Sequence, residues 1–423
     1  MSTMFEYYGF KDNQDIVAII PDRPEDASFL AGKSVDSLGD FKKQIGRQTG
    51  LGKSPRGVLF GEAGSGKTHC LNHLKYYFIN ELKDKKGEQA YEPVYIRLSA
   101  WENKKKIFNQ FFHNLIASFD TTLLTRIAKK FDDVARSKGT DINRYLLEQC
   151  KDMCQTDILQ SMGIALDKLR NQDIEEAVNK GKNWFLGNLS KRDLDSMEGA
   201  NIIMDARECA DVLRSLNRLL HITLGRYFVF LLDEGQQFGD SSLKAVEEQD
   251  LVKNNIKALL DDPYIGMILA FLNPPNQSTL GSLENSFFRD ETIKRRLGME
   301  IESQPTIVDL NAEMNDAENI KEFICGDDKG KKPGILQHWL DSTKIAKIIK
   351  ANNIKDTSVR YFPYDEEFIE TFVGKLIDQP IAKKPSRIID ILGETMYEGW
   401  AEKNKYGLPI KVTILDDIRG VIG

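Results

Sequence analysis

The residues with the clearest chemistry are Gly61-Glu62-Ala63-Gly64-Ser65-Gly66-Lys67-Thr68, which fill every fixed position of a P-loop. The glycines let the backbone curl so that consecutive N–H groups face a phosphate. Lys67 then reaches the β- and γ-phosphates, and the Thr68 hydroxyl is placed to hold Mg²⁺. The pattern implies binding of a nucleoside triphosphate, ATP with Mg²⁺, by residues 61–68 and the adjoining His69. A second constellation is Asp233-Glu234, which closes the apolar run Tyr227–Leu232. Asp233 would hold Mg²⁺ through its water shell, and Glu234 would orient and polarise an attacking water. Asn273, in Leu272-Asn273-Pro274-Pro275, ends a further apolar run. It reads either as a turn residue before proline or as a side chain that helps position the water.

The elements that must carry these groups follow from hydrophobic periodicity. A strand, Gly57–Phe60, leads into the P-loop, and a helix from His69 to Tyr77 leads out of it. Further strands are expected at Pro93–Leu98, Tyr227–Leu232, Ile265–Leu272 and Met299–Ile307. Helices are expected at Val35–Gln48, Ile107–Phe119 and Cys209–Leu224. Strands that are nearly continuous in apolar residues and alternate with helices predict an α/β fold, a parallel sheet flanked by helices. Its strands would present Asp233 and Glu234 at their carboxyl edge, where ligands bind in open α/β sheets. Three regions are expected: a leading segment over 1–55, a nucleotide-binding domain over 56–310 with a helical insertion at about 121–199, and an α-helical domain over 311–423.

The chain has 423 residues, 41% of them hydrophobic and 29% charged, which is ordinary for a globular protein. A net charge of −6 excludes a global basic field, so any nucleic-acid contact must be a local patch. Five cysteines without a CxxC pair argue against both a disulfide framework and a zinc site. The first ten residues lack the charge and apolar pattern of a signal peptide, and no apolar run approaches membrane-spanning length. A cytoplasmic protein with no membrane contact is the expectation.

The order of P-loop, acidic pair, strand-end Asn and later arginines resembles an AAA+ ATPase. That resemblance implies sensor 1 at Asn273. Thr292-Ile293-Lys294-Arg295-Arg296-Leu297-Gly298 is similar to the arginine-finger box of replication-initiator AAA+ proteins. It implies that Arg296 reaches the γ-phosphate of a neighbouring subunit, with Arg295 and Arg289 in reserve. Lys384-Pro385-Ser386-Arg387 is similar to sensor 2, which implies a nucleotide contact by Arg387 from the helical domain, the lid of that family. The start Phe5-Glu6-Tyr7-Tyr8-Gly9-Phe10 and the step Asp233-Glu234-Gly235-Gln236 look like the ExeA, TniB and TnsC-like branch near the origin-recognition ATPases. Gly235 departs from the Ala usual there. Branch members assemble on DNA through basic residues after the second strand, a place held here by Trp101-Glu102-Asn103-Lys104-Lys105-Lys106. Lys104, Lys105 and Lys106 would grip a double-stranded DNA backbone, or else form a solvated helix start.

Two functions follow from these expectations. One is an oligomeric ATP hydrolase whose self-assembly is coupled to DNA, of the transposition-regulator or anti-phage-defence type. The other is a nucleotide-gated switch whose helical insertion docks a protein partner without DNA.

Overall fold

The structure is a computed structural model; it describes residues 3–12, 18–20, 23–84, 86–98, 107–119, 121–170, 175–187, 191–195, 197, 200–201, 206–239, 254, 256–272, 290–298, 307–311, 314, 316–354, 358–379 and 384–417. In chain order the elements are α1 (Met4–Tyr8), α2 (Pro24–Ala27), α3 (Ser34–Gly50), β1 (Arg56–Gly61), α4 (Lys67–Asn80), β2 (Tyr91–Arg97) and α5 (Ile107–Ser118). Then come α6 (Thr121–Ser137), α7 (Ile142–Cys150), α8 (Thr156–Arg170), α9 (Glu175–Phe185), α10 (Lys191–Asp195) and α11 (Ala206–Leu224). The chain continues with β3 (Tyr227–Asp233), β4 (Gly266–Leu272), α12 (Glu291–Leu297) and β5 (Ile307–Asp309). It ends with α13 (Ala317–Cys325), α14 (Ile335–Trp339), α15 (Ser342–Ala351), α16 (Glu366–Ile377), α17 (Pro385–Ala401), α18 (Lys403–Tyr406) and α19 (Ile414–Asp417).

The five strands form one all-parallel sheet in the order β2-β3-β4-β1-β5, flanked by helices. Its centre is apolar on both faces: every residue of β3 after Tyr227 is buried, as is every residue of β4 before Leu272. The register of β2 on β3 sets Tyr95 beside Leu231 and Arg97 beside Asp233, at the carboxyl ends of both strands. The strand expected over Met299–Ile307 is observed only from its last residue, as β5; residues 299–306 lie outside the described residues.

Two compact units divide the chain, and neither is continuous in sequence. One comprises Met1–Lys42, Leu59–His73 and Val308–Gly423; the other comprises Lys43–Val58 and Leu74–Ile307. The first, which carries the P-loop, has a core of aromatic and aliphatic side chains from α1 and from α13 to α17, among them Tyr8, Trp339, Tyr364 and Phe368. The Tyr8 hydroxyl donates to the Met396 carbonyl at 2.8 Å, which joins α1 to α17. Its helices start where Asp side chains cap free N–H groups: Asp316 ahead of α13, Asp341 ahead of α15 and Asp365 ahead of α16. The second unit carries the sheet centre, α5 to α12 and the acidic pair. Phe119 stacks on Phe228 at 5.0 Å, pinning the end of α5 to β3. The helices of the expected insertion are present as α6 to α10, and α8 packs against α6, α7 and α9.

Candidate functional site

Local rules shape the glycine-rich loop over residues 61–68. β1 ends at Gly61, and α4 begins at Lys67, so the loop delivers the chain to a helix N-terminus whose N–H groups lack intrahelical partners. Gly64 and Gly66 have φ of 82° and 94°, a region open to glycine and costly for other residues. A Cβ added at Gly66 would meet nothing within 4 Å, whereas one at Gly64 would collide with the Ser386 hydroxyl. Lys67 is buried, and its ammonium donates to the carbonyls of Gly61 at 2.7 Å and Glu62 at 2.8 Å. The Ser65 hydroxyl is buried in the same loop without a hydrogen-bond partner. An orphaned donor costs about 1–3 kcal/mol, and an acceptor-rich ligand such as a phosphate removes that cost. These residues fit a bound polyphosphate.

The start of α17 sits on the loop. Ser386 N–H donates to the Gly64 carbonyl at 3.3 Å, and Lys384 pairs with the Glu62 carboxylate at 2.8 Å. Asn311, just after β5, accepts from Glu62 N–H at 2.8 Å, while Leu310 N–H donates to the Phe60 carbonyl at 2.8 Å. The loop is therefore held from two sides by residues far along the chain. Arg387 lies in the first turn of α17, within the unit that holds the P-loop. Thr68 and His69 occupy the first turn of α4. His69 Nε2 bonds the Phe29 carbonyl at 2.8 Å, and burial pushes its imidazole below the usual histidine range. Its Nδ1 is buried without a hydrogen-bond partner. Glu62 and Ala63 remain at the loop surface, Glu62 through its tie to Lys384.

The acidic pair is organised within the other unit. Asp233 is 1% exposed; one carboxylate oxygen accepts from the Tyr95 hydroxyl at 3.1 Å and the other from Glu234 N–H at 2.9 Å. Glu234 is one of two non-glycine residues with positive φ among those described, at 59°. Holding an L-residue there costs about 1–2 kcal/mol, which the surrounding structure must offset. The Glu234 carboxylate is gripped by the Gln236 amide and pairs with Arg97 at 3.7 Å. Gln236 in turn accepts from Leu272 N–H at 3.3 Å, tying the pair to the end of β4. Gly235 now has a reason: a Cβ there would come within 2.8 Å of the Phe271 ring and 3.0 Å of the Ala270 carbonyl.

The arginine box ends α12, which Asp290 caps at its start and Gly298 closes with a left-handed turn. Arg296 pairs with Asp261 in its own chain, and its carbonyl accepts from Arg56 at 3.2 Å. Arg295 is exposed beside it. Asn273, Arg289 and Lys104 to Lys106 lie outside the described residues. Tyr95, Arg97, Gln236, Asn311, Lys384 and Ser386 are site residues to which sequence pattern alone assigns no role; only their places at strand and helix ends hint at them.

No cluster of three or more His, Cys, Asp or Glu side chains suited to a metal occurs among the described residues. All five cysteines are free and buried. No described helix is long and apolar enough to cross a membrane.

The fold is α/β with a five-stranded all-parallel sheet flanked by helices, and the glycine-rich segment over residues 61–68 follows one of its strands. Compared with protein-family models, with curated proteins and with solved structures, the chain matches none.

Proposed function

We propose that this chain is a P-loop ATPase of the AAA+ type, which binds and hydrolyses ATP at subunit interfaces and couples its assembly to DNA. The observation that carries the reading is the cradle itself: a buried, unpartnered Ser65 hydroxyl in a loop whose Lys67 ammonium is parked on two backbone carbonyls. Phosphate oxygens satisfy both groups at once. The order β2-β3-β4-β1-β5 supports it, because the strand ending in Asp233-Glu234 and the strand ending in the P-loop are separated by β4, whose end leads to Asn273.

In this reading Lys67 exchanges its carbonyl partners for the β- and γ-phosphates, and Ser65 donates to a phosphate oxygen. Glu234 accepts the proton of the attacking water, held in place by Arg97 and Gln236. Mg²⁺, held by the Thr68 hydroxyl, would neutralise charge on the phosphates. Arg296 is occupied by Asp261, so exposed Arg295 is the better donor to a neighbouring subunit's nucleotide.

The test is Glu234→Gln. Removing a general base costs about 10²–10⁴ in rate, so ATP binding should persist while turnover falls by at least ~100-fold. Undiminished hydrolysis removes Glu234 from that role. ATPase rate against protein concentration, with and without double-stranded DNA, tests the interface. A rate that is flat in both favours a nucleotide-gated switch that acts on a protein partner without DNA.

A further inference from the structure

At the opposite end of β1 from the P-loop, the second unit carries a groove of about 540 Å³ whose lining includes Arg47, Lys53, Arg56, Arg295, Arg296 and Pro263. No carboxylate lines it among the described residues. Arg296 is neutralised by Asp261. Arg56 donates to the carbonyls of Arg296 and Asp262, at 3.2 and 2.9 Å, and its Nε is buried without a hydrogen-bond partner. Lys53 and Arg295 are exposed, and Arg47 lies at the groove's edge. Asp261 and Asp262 act on Arg296 and Arg56, which leaves Arg47, Lys53 and Arg295 as the exposed cations that a polyanion would meet.

Beside the groove lies a ladder of rings. His221 stacks on Tyr227 at 4.2 Å, and Tyr227 stacks on Tyr264 at 4.8 Å. Tyr264 ends the ladder and is 45% exposed. Ladder and groove are joined by short links. Pro263 precedes Tyr264 and accepts from Ser54 at 2.5 Å, and the Lys53 carbonyl accepts from Tyr91, the register partner of Tyr227, at 3.3 Å. The exposed last ring therefore stands next to the cationic groove.

We infer that the amino edge of the sheet binds single-stranded nucleic acid, with its phosphodiester backbone in the Arg47–Lys53–Arg56–Arg295 groove and a base on the ring of Tyr264. Phosphate contacts supply salt-dependent affinity, and an aromatic face accepts any base. A duplex keeps its bases stacked and cannot use Tyr264 in this way. This groove shares Arg295 with the nucleotide reading above, so its test runs without ATP and on variants that leave Arg295 unchanged.

The experiment is fluorescence anisotropy of labelled thymidine DNA and uridine RNA strands of about 12 nucleotides, within the range of single-strand site sizes, at low salt with the full chain. The two strands distinguish the sugar chemistries. The wild type should bind at least one of them. Tyr264→Ala should weaken binding by about 5- to 150-fold, the effect typical of one stacked base. The double variant Arg47→Glu/Lys53→Glu should weaken it by at least ~10-fold and flatten the salt dependence by about 0.7 in log–log slope for each phosphate no longer neutralised. None of the three side chains belongs to the buried core, so circular dichroism should show unchanged folding. The inference is overturned if the wild type binds neither strand. It is also overturned if both variants bind as the wild type does, or if a duplex of the same length binds equally well and Tyr264→Ala makes no difference.

Discussion

Gly235→Ala adds one methyl group beside the acidic pair. Here that methyl would lie 2.8 and 2.9 Å from two atoms of the Phe271 ring and 3.0 Å from the Ala270 carbonyl oxygen. Both neighbours belong to β4 and are fully buried, so neither the ring nor the strand backbone has room to retreat. Overpacking of this kind costs about 1–3 kcal/mol. For a domain of about 150–250 residues each kcal/mol shifts Tm by about 2–4 °C, so the expected drop is about 2–12 °C. Differential scanning calorimetry of the variant measures it. A companion cycle identifies the cause: Phe271→Leu shortens the obstructing side chain, and the double variant should be destabilised by less than the two single effects summed, with a coupling of about 0.5–3 kcal/mol. A Gly235→Ala protein that melts within about one degree of wild type, below the smallest drop expected, refutes the collision as the reason for glycine.

Two further outcomes follow from the P-loop unit. Gly64→Ala combines a left-handed φ of 82° with a collision at Ser386, so it should destabilise by more than the ~1–2 kcal/mol of φ strain and weaken ATP binding. Adding Ser386→Ala should relieve the collision and leave the strain, which thermal unfolding and ATP titration can read together. His338 Nε2 bonds Asp26 at 2.6 Å and stacks on Phe29 at 4.0 Å, yet burial outweighs the Asp26 charge and pushes its imidazole below the usual histidine range, as it does for His69. Because the folded state resists protonation, stability is full above about pH 6.5 and falls as pH drops below it, where the unfolded chain takes up the protons first. Urea midpoints between about pH 7.5 and 5, a window that brackets the unfolded histidine pKa, should fall for the wild type and flatten in His338→Gln; an unchanged slope refutes the assignment.

Much of the fold was legible in the sequence for a simple reason: its signals are local. Continuous apolar runs around Tyr227–Leu232 and Ile265–Leu272 mark strands buried on both faces, and both are sheet strands in the structure. Helical periodicity located α3, α5 and α11 to within a few residues. The P-loop between strand and helix was also legible, because glycine spacing and the following Lys-Thr define it over residues 61–68.

What only the tertiary structure decided is how distant residues meet. Tyr95 reaches Asp233 and Arg97 reaches Glu234 because β2 pairs with β3 in one parallel register; a different register would separate them. Lys384 and Ser386 hold the P-loop from the far end of the chain, and Asp261 takes Arg296, the residue a motif match would choose as the finger. The bond from His69 Nε2 to the Phe29 carbonyl likewise joins residues forty positions apart. The sequence by itself determined which local segments form strands, helices and the glycine-rich loop between β1 and α4, since dihedral preferences and apolar period act over a few residues. Which polar groups are spent on the protein and which stay available for a ligand is set by contacts between segments that no local pattern encodes, so the fold alone could assign them.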